Sequence, residues 1–213
     1  MSRFRRGRGA KGADVEPGNW VEATSQTCRL LAHCHGLDLE ALLAIDAVAG
    51  LVLAGEPTAL LVSQVHEAGR AAFLVDRCDL VRPLGADGVL LNRPAEVVRA
   101  RQLLGQGELI GAVVGGTRHD AMVAGEDGAD YVLFGTLGTI PAGGIETLAA
   151  HVTWWAEIAV LPCVVAGRLS PDDARRLVLA GADFLLPDVD GATELAALAA
   201  VLPVPDRSLK GRP

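Results

Sequence analysis

Lysine is almost missing from this chain. It occurs twice in 213 residues, at Lys11 and Lys210, both outside the stretch with regular apolar patterning. A Schiff-base mechanism needs a lysine amine where the chemistry happens, so aldolase-type reactions are excluded for the central region. No apolar run approaches the roughly 18 residues of a membrane span, and no leader with an apolar centre is visible, so a cytoplasmic protein without membrane contact is expected. The glycine-x-glycine-x-x-glycine turn of dinucleotide folds is absent after the first predicted strand. Only four cysteines are present, at positions 28, 34, 78 and 163. They lie in or beside predicted strands and read as free thiols.

Positive charge is in short supply, with 19 basic against 26 acidic residues and a net charge of −7. Five of the basic residues, Arg3, Arg5, Arg6, Arg8 and Lys11, precede the first acid, Asp14. Residues 1–26 are read as a disordered basic arm, 203–213 as a tail, and 27–202 as one domain. The arm carries no aromatic or recognition element, so a nucleic-acid partner is not expected.

What the chain does have is one short phrase written three times: Gly85-Ala86-Asp87, Gly128-Ala129-Asp130 and Gly181-Ala182-Asp183, each opening an apolar run. A glycine just beyond a helix can take the left-handed conformation that stops it, and a short apolar run reads as a strand buried on both faces. Strands are predicted at 28–33, 48–54, 70–75, 87–91, 108–114, 130–135, 161–166 and 183–186. Helical periodicity marks 39–45, 60–68, 94–104, 119–126, 144–158, 171–179 and 192–202. Ser170-Pro171-Asp172-Asp173 is a helix start with a capping hydroxyl and proline at the first position. Short connections of a single kind favour a closed α/β architecture, the (β/α)8 TIM barrel, over an open sheet.

In such a barrel, chemistry collects at the carboxyl ends of the strands. The third predicted strand ends in Asp76-Arg77, readable as a magnesium or pyrophosphate site or as a surface ion pair. The first ends in His33-Cys34-His35, where alternation separates the cysteine from the histidines and the spacing fits no common zinc site. After the fifth comes Gly115-Gly116-Thr117-Arg118-His119, a turn whose backbone N–H groups, at Gly116 among them, are available to an anion, with Thr117 as helix cap. After the seventh comes Gly167-Arg168, where barrels commonly grip phosphate. Pro187, Asp188 and Asp190 oppose an anion there, so a phosphate site must lean on Arg168. Trp154-Trp155 reads as helix packing or an oligomer contact, which leaves a homo-oligomer open.

The segments Asp76-Arg77-Cys78-Asp79-Leu80, Gly85-Ala86-Asp87-Gly88-Val89, Gly128 to Gly135, and Pro162 to Gly167 followed by Gly181-Ala182-Asp183 resemble thiamine-phosphate synthase and its relative, the TenI-type thiazole tautomerase. The resemblance covers residues 27–202. It implies a phosphorylated small-molecule substrate and one of two reactions. The synthase uses magnesium to help pyrophosphate leave a hydroxymethylpyrimidine diphosphate, whose cation a thiazole phosphate captures; the tautomerase moves a proton on a thiazole carboxylate phosphate. Carried over by position, Asp76 matches the first metal aspartate, Thr117 the end of a Ser-x-His-Thr turn, and Gly167 the first glycine of a phosphate-gripping pair.

Departures from the family pattern bear on the chemistry. Leu53, Ala54 and Gly55 stand where the family has Gln-x-Arg, and Val75 where it has asparagine. Ala95 replaces the second metal aspartate, with Glu96 one residue away as the substitute magnesium ligand; Val114 and Gly116 replace the serine and histidine, and His119 is a candidate replacement. The expectation is a barrel of thiamine metabolism with a degenerate catalytic site. Two alternatives stay open: a non-catalytic phosphate-ligand-binding or regulatory barrel, and a phosphate-sugar isomerase-like barrel of another pathway.

Overall fold

A computed structural model describes residues 28–34, 37–138 and 144–203. The basic arm at 1–26, most of the tail at 203–213 and His35 lie outside the described residues. Eight strands alternate with eight α-helices: β1 Arg29–His33, α1 Leu39–Leu43, β2 Val48–Leu53, α2 Ala59–Glu67, β3 Ala71–Val75, α3 Cys78–Leu84, β4 Gly88–Leu91, α4 Val97–Leu104, β5 Leu109–Gly115, α5 Arg118–Glu126, β6 Tyr131–Gly135, α6 Gly144–Ile158, β7 Cys163–Gly167, α7 Pro171–Ala180, β8 Phe184–Pro187 and α8 Ala192–Ala199. Each strand pairs in parallel with the next, and β1 closes on β8 through Arg29 and Phe184. The TIM barrel expected from the sequence is the observed fold.

Local departures have local causes. The helix expected from Pro94 begins instead as a 3-10 turn over Pro94–Glu96, where the Val97 N–H bonds back to the Pro94 carbonyl before α4 continues. The helix α3 escaped periodicity because Pro83 sits in its last turn, although Gly85 ends it at φ 72° as the corner requires. Ser170 caps α7 through a reciprocal bond with Asp173, as its sequence indicates.

The core has two layers. Between barrel and helices lie residues such as Leu30, Leu51, Leu74, Phe134 and Leu177, all fully buried. Inside the barrel, Leu31, Val52, Phe73, Tyr131, Leu133 and Phe184 fill the space, so the interior is packed and not a pore. Phe73 and Tyr131 meet edge to face at 5.8 Å. Gly111 makes room for that pair: a Cβ there would stand 2.1 Å from the Tyr131 ring.

The three repeated corners are structural fasteners. In each, the glycine has a positive φ (72°, 100° and 103°) and the alanine is buried. Each aspartate then grips the start of the preceding strand twice. The Asp87 carboxylate accepts from the Ala72 N–H at 2.8 Å while its own N–H donates to the Ala72 carbonyl at 2.9 Å. Asp130 does the same with Ile110 at 2.9 and 2.7 Å, and Asp183 with Cys163 at 2.8 and 3.2 Å. His66 adds a contact to Asp87 at 2.9 Å, and Arg101 reaches Asp130. All three clasps lie at the amino ends of the strands. That is the end of a barrel associated with stability, not chemistry.

Candidate active site at the carboxyl ends of the strands

At the opposite end, β3 leads into Asp76, which among the described residues is the one non-glycine residue with positive φ, at 54°. A left-handed backbone costs an L-residue roughly 1–2 kcal/mol, least for Asn and Asp, and such outliers gather at functional sites. Asp76 is exposed, so no burial offsets the strain. Hydrogen bonds to β4 and its end do. The Asp76 N–H donates to the Leu90 carbonyl at 3.0 Å, the Asn92 N–H donates to Oδ1 of Asp76 at 2.8 Å, and the Asn92 carboxamide donates to Oδ2 at 2.7 Å. Arg77, next in the chain, is held by two bonds of 3.1 Å to Asp79. Glu96 pairs with Arg93 in the turn after β4. Burial pushes the Cys78 thiol up, and the Glu96, Asp76 and Asp79 carboxylates add to that push.

The family profile described as thiamine monophosphate synthase matches residues 56–186, which contain Asp76, Asn92 and the β5 and β7 ends. The chain belongs to this family. It is 42% identical over 148 residues to a thiamine-phosphate synthase of Hyphomonas neptunium, covering 66% of this chain and 65% of that protein. A thiamine-phosphate synthase of Erythrobacter litoralis is 37% identical over 161 residues, covering 67% of this chain and 75% of the relative. The chain thus spans just under two thirds of the length of the Hyphomonas relative. Among solved structures, the thiamine phosphate pyrophosphorylase from Pyrococcus furiosus superposes with a TM-score of 0.67 at 22% identity, covering 81% of this chain and 94% of that one. At that identity the superposition speaks for the fold alone.

The turn after β5 is exposed at Gly116 and Thr117. Gly115 has φ 58°, Gly116 is exposed, and Thr117 caps α5 by accepting the Asp120 N–H at 3.1 Å. His119 is exposed on the first turn of α5. The nearest atom to a Cβ built on Gly116 would be Cε1 of His151, 4.0 Å away on α6. His151 stacks on Phe134 with ring centroids 6.1 Å apart. Its partial burial and the nearby Arg118 guanidinium lower its pKa, so the ring is neutral near pH 7. Arg118 itself lies 5.0 Å over Trp154, while Trp155 is buried with its Nε1 donating to the Leu161 carbonyl at 2.8 Å.

At the β7 end, Gly167 is buried with φ 150°, and its carbonyl accepts the Asp188 N–H at 2.8 Å. Arg168 donates to Asp190 at 2.6 Å, so the guanidinium assigned to phosphate already has a carboxylate partner. A pocket of about 310 Å³ opens between the ends of β1, β6 and β8, lined by His33, Leu37, Leu137, Gly138, Pro187 and Asp188. A larger, apolar cavity of about 690 Å³ lies at the amino ends beside Cys28, Ile45 and Leu202, away from these groups.

Two residues were missed from the sequence. Asn92 sits at a strand end, the place that should have drawn attention to it. His151 carries no local signal, because its neighbour Gly116 is brought close only by the packing of α6 on the barrel.

The fit to magnesium can be judged from the donors. Each Asp76 oxygen takes one Asn92 donor and keeps a lone pair, since a carboxylate has about four acceptor sites. Magnesium is usually held by one or two carboxylates together with substrate phosphates and water. Among the described residues no group of three or more His, Cys, Asp or Glu could hold an ion unaided. The donor set therefore fits an ion that arrives with a diphosphate.

Proposed function

We propose that this barrel is a diverged thiamine-phosphate synthase-type protein whose mouth binds a thiazole or thiamine-type phosphate in the cytoplasm and turns over slowly. The observation that carries this reading is the family match with a strained, exposed Asp76 at the mouth. The four free thiols fit a reducing compartment. Asp76, with Glu96 once it releases Arg93, would hold magnesium. When bound, the ion supplies the positive charge that stabilises a departing pyrophosphate. Gly167 and Arg168, at the amino end of α7, bind the phosphate of the second ligand, with Arg168 exchanging Asp190 for it. Gly116 is exposed in the turn that Thr117 ends as the cap of α5, and Arg77 is available to an anion when it leaves Asp79.

A non-catalytic reading has an observation of its own. At the end of β2, where a diphosphate would need polar donors, Leu53 is buried and apolar. Incubating purified protein with hydroxymethylpyrimidine diphosphate and thiazole phosphate separates the readings. Saturable thiazole phosphate or thiamine phosphate binding is expected, with turnover at least roughly 10²–10³-fold below that of the synthase relatives, the usual effect of losing one transition-state donor. Binding without turnover supports the second reading. Indifference to all three ligands removes the protein from thiamine chemistry.

A further inference from the structure

We infer that Asn92 is the positioning residue of the mouth: it holds the Asp76 carboxylate in one orientation so that a divalent cation arriving on a diphosphate meets a preformed ligand. This inference rests on the reading of the mouth given above. Three features of the molecule carry it. First, one residue grips both carboxylate oxygens, its backbone N–H on Oδ1 and its carboxamide on Oδ2, which fixes the plane of the carboxylate as two bonds to one oxygen would not. Second, Asn92 is neutral. It orients Asp76 without cancelling the charge a cation needs, whereas the adjacent cation that could cancel it, Arg77, is occupied by Asp79. Third, Asp76 is exposed and holds a left-handed backbone that glycine would adopt without strain. A carboxylate kept there at that cost gains from where its oxygens are placed, since nothing is gained from burial.

The lone pairs left on Asp76 are those turned away from Asn92, and they are the ones a cation would use. Partners that orient a metal ligand typically matter by roughly 10–100-fold in metal affinity.

The test is binding of Mn²⁺ with inorganic diphosphate, read by calorimetry, on the full chain and on Asn92→Leu, Asp76→Asn and the double variant, with thermal unfolding measured beside it. Asn92→Ala, which keeps the backbone N–H bond, replaces Asn92→Leu if the larger side chain disturbs folding. The expected result is a loss of roughly 10–100-fold in Mn²⁺-diphosphate affinity in the Asn92 variant. The midpoint of unfolding should fall by no more than roughly 2–4 °C, and the Asn92 substitution should cost nothing further when added to Asp76→Asn. Wild-type affinity in the Asn92 variant, or losses that simply multiply in the double variant, overturns the positioning role and leaves the proposed function standing. A wild-type protein that binds no Mn²⁺-diphosphate overturns both.

Discussion

The guanidinium of Arg168, at the end of β7, donates to the carboxylate of Asp190, beyond the end of β8, at 2.6 Å. Both side chains are largely exposed. The bond holds Asp190 below the usual carboxylate range, so this internal acid is ionised wherever a phosphate ligand would be. An incoming phosphate must displace it. Arg168→Ala is expected to weaken thiazole phosphate binding by roughly 10- to 100-fold, the range for a bond to a charged group. Asp190→Asn should have the opposite sign and tighten it. Calorimetric titration of both variants checks the pair, and a looser Asp190→Asn would place the phosphate away from Arg168.

The clasp at Asp183 predicts a pH signature. Burial raises this carboxyl above its ordinary value of 3.8, while the bond from the Cys163 N–H opposes the rise. A carboxyl with a higher pKa folded than unfolded binds protons better in the native state. Its contribution is therefore full at acid pH and declines as pH climbs through the folded value. Asp183→Asn keeps an acceptor for the Cys163 N–H and should flatten that decline in urea midpoints measured above about pH 4. Asp183→Ala, which leaves the N–H unpaired, should lose on the order of 1.5–3 kcal/mol at neutral pH. Identical pH slopes in wild type and Asp183→Asn would assign the titration elsewhere.

Inside the barrel, Gly111 and Tyr131 share one space. Gly111→Ala should destabilise by roughly 1–3 kcal/mol through overpacking. Trimming the ring with Tyr131→Leu should recover part of that loss, a coupling expected only of residues in contact. Additive losses in a denaturant series would mean that the ring moves aside without strain.

The four thiols should fall into two classes. Burial, with the nearby Asp183 carboxylate, pushes Cys163 up to about 12, and the same causes push Cys28 higher still. Cys34 and Cys78 are only half-buried. Because the thiolate is the reactive form, iodoacetamide at pH 8 should alkylate Cys34 and Cys78 well before the other two, as followed by peptide mass mapping. Early loss of Cys28 would instead reveal opening at the amino end of β1.

The barrel was legible because its signals are local. A glycine corner, an apolar run of five residues and a capped helix start each announce themselves within a few positions. The one hidden helix, α3, carries Pro83 where periodicity is read. At the mouth, Asp76 and Arg77 could be placed at a strand end because they follow β3 directly. Their behaviour was not found, because the left-handed turn at Asp76 and the grip of Asn92 depend on β3 and β4 lying side by side. The sequence marked Asp190 as hostile to an anion. Its first effect is on Arg168, a relation across two loops that no local spacing encodes. His151 is further removed again, since α6 and the β5 turn meet only in the folded barrel.

The three aspartate clasps are all sewn into the amino-terminal rim, like the hoop at the base of a cask. A container fastened at its base tolerates recarving of its lip. Changes at Val114, Gly116 or Ala95, at the other end of the strands, would leave untouched the bonds with which Asp87, Asp130 and Asp183 hold β3 to β4, β5 to β6 and β7 to β8. In this chain, variation at the mouth and integrity of the fold are therefore separable. Polar side chains introduced at the mouth should be accepted by the existing frame.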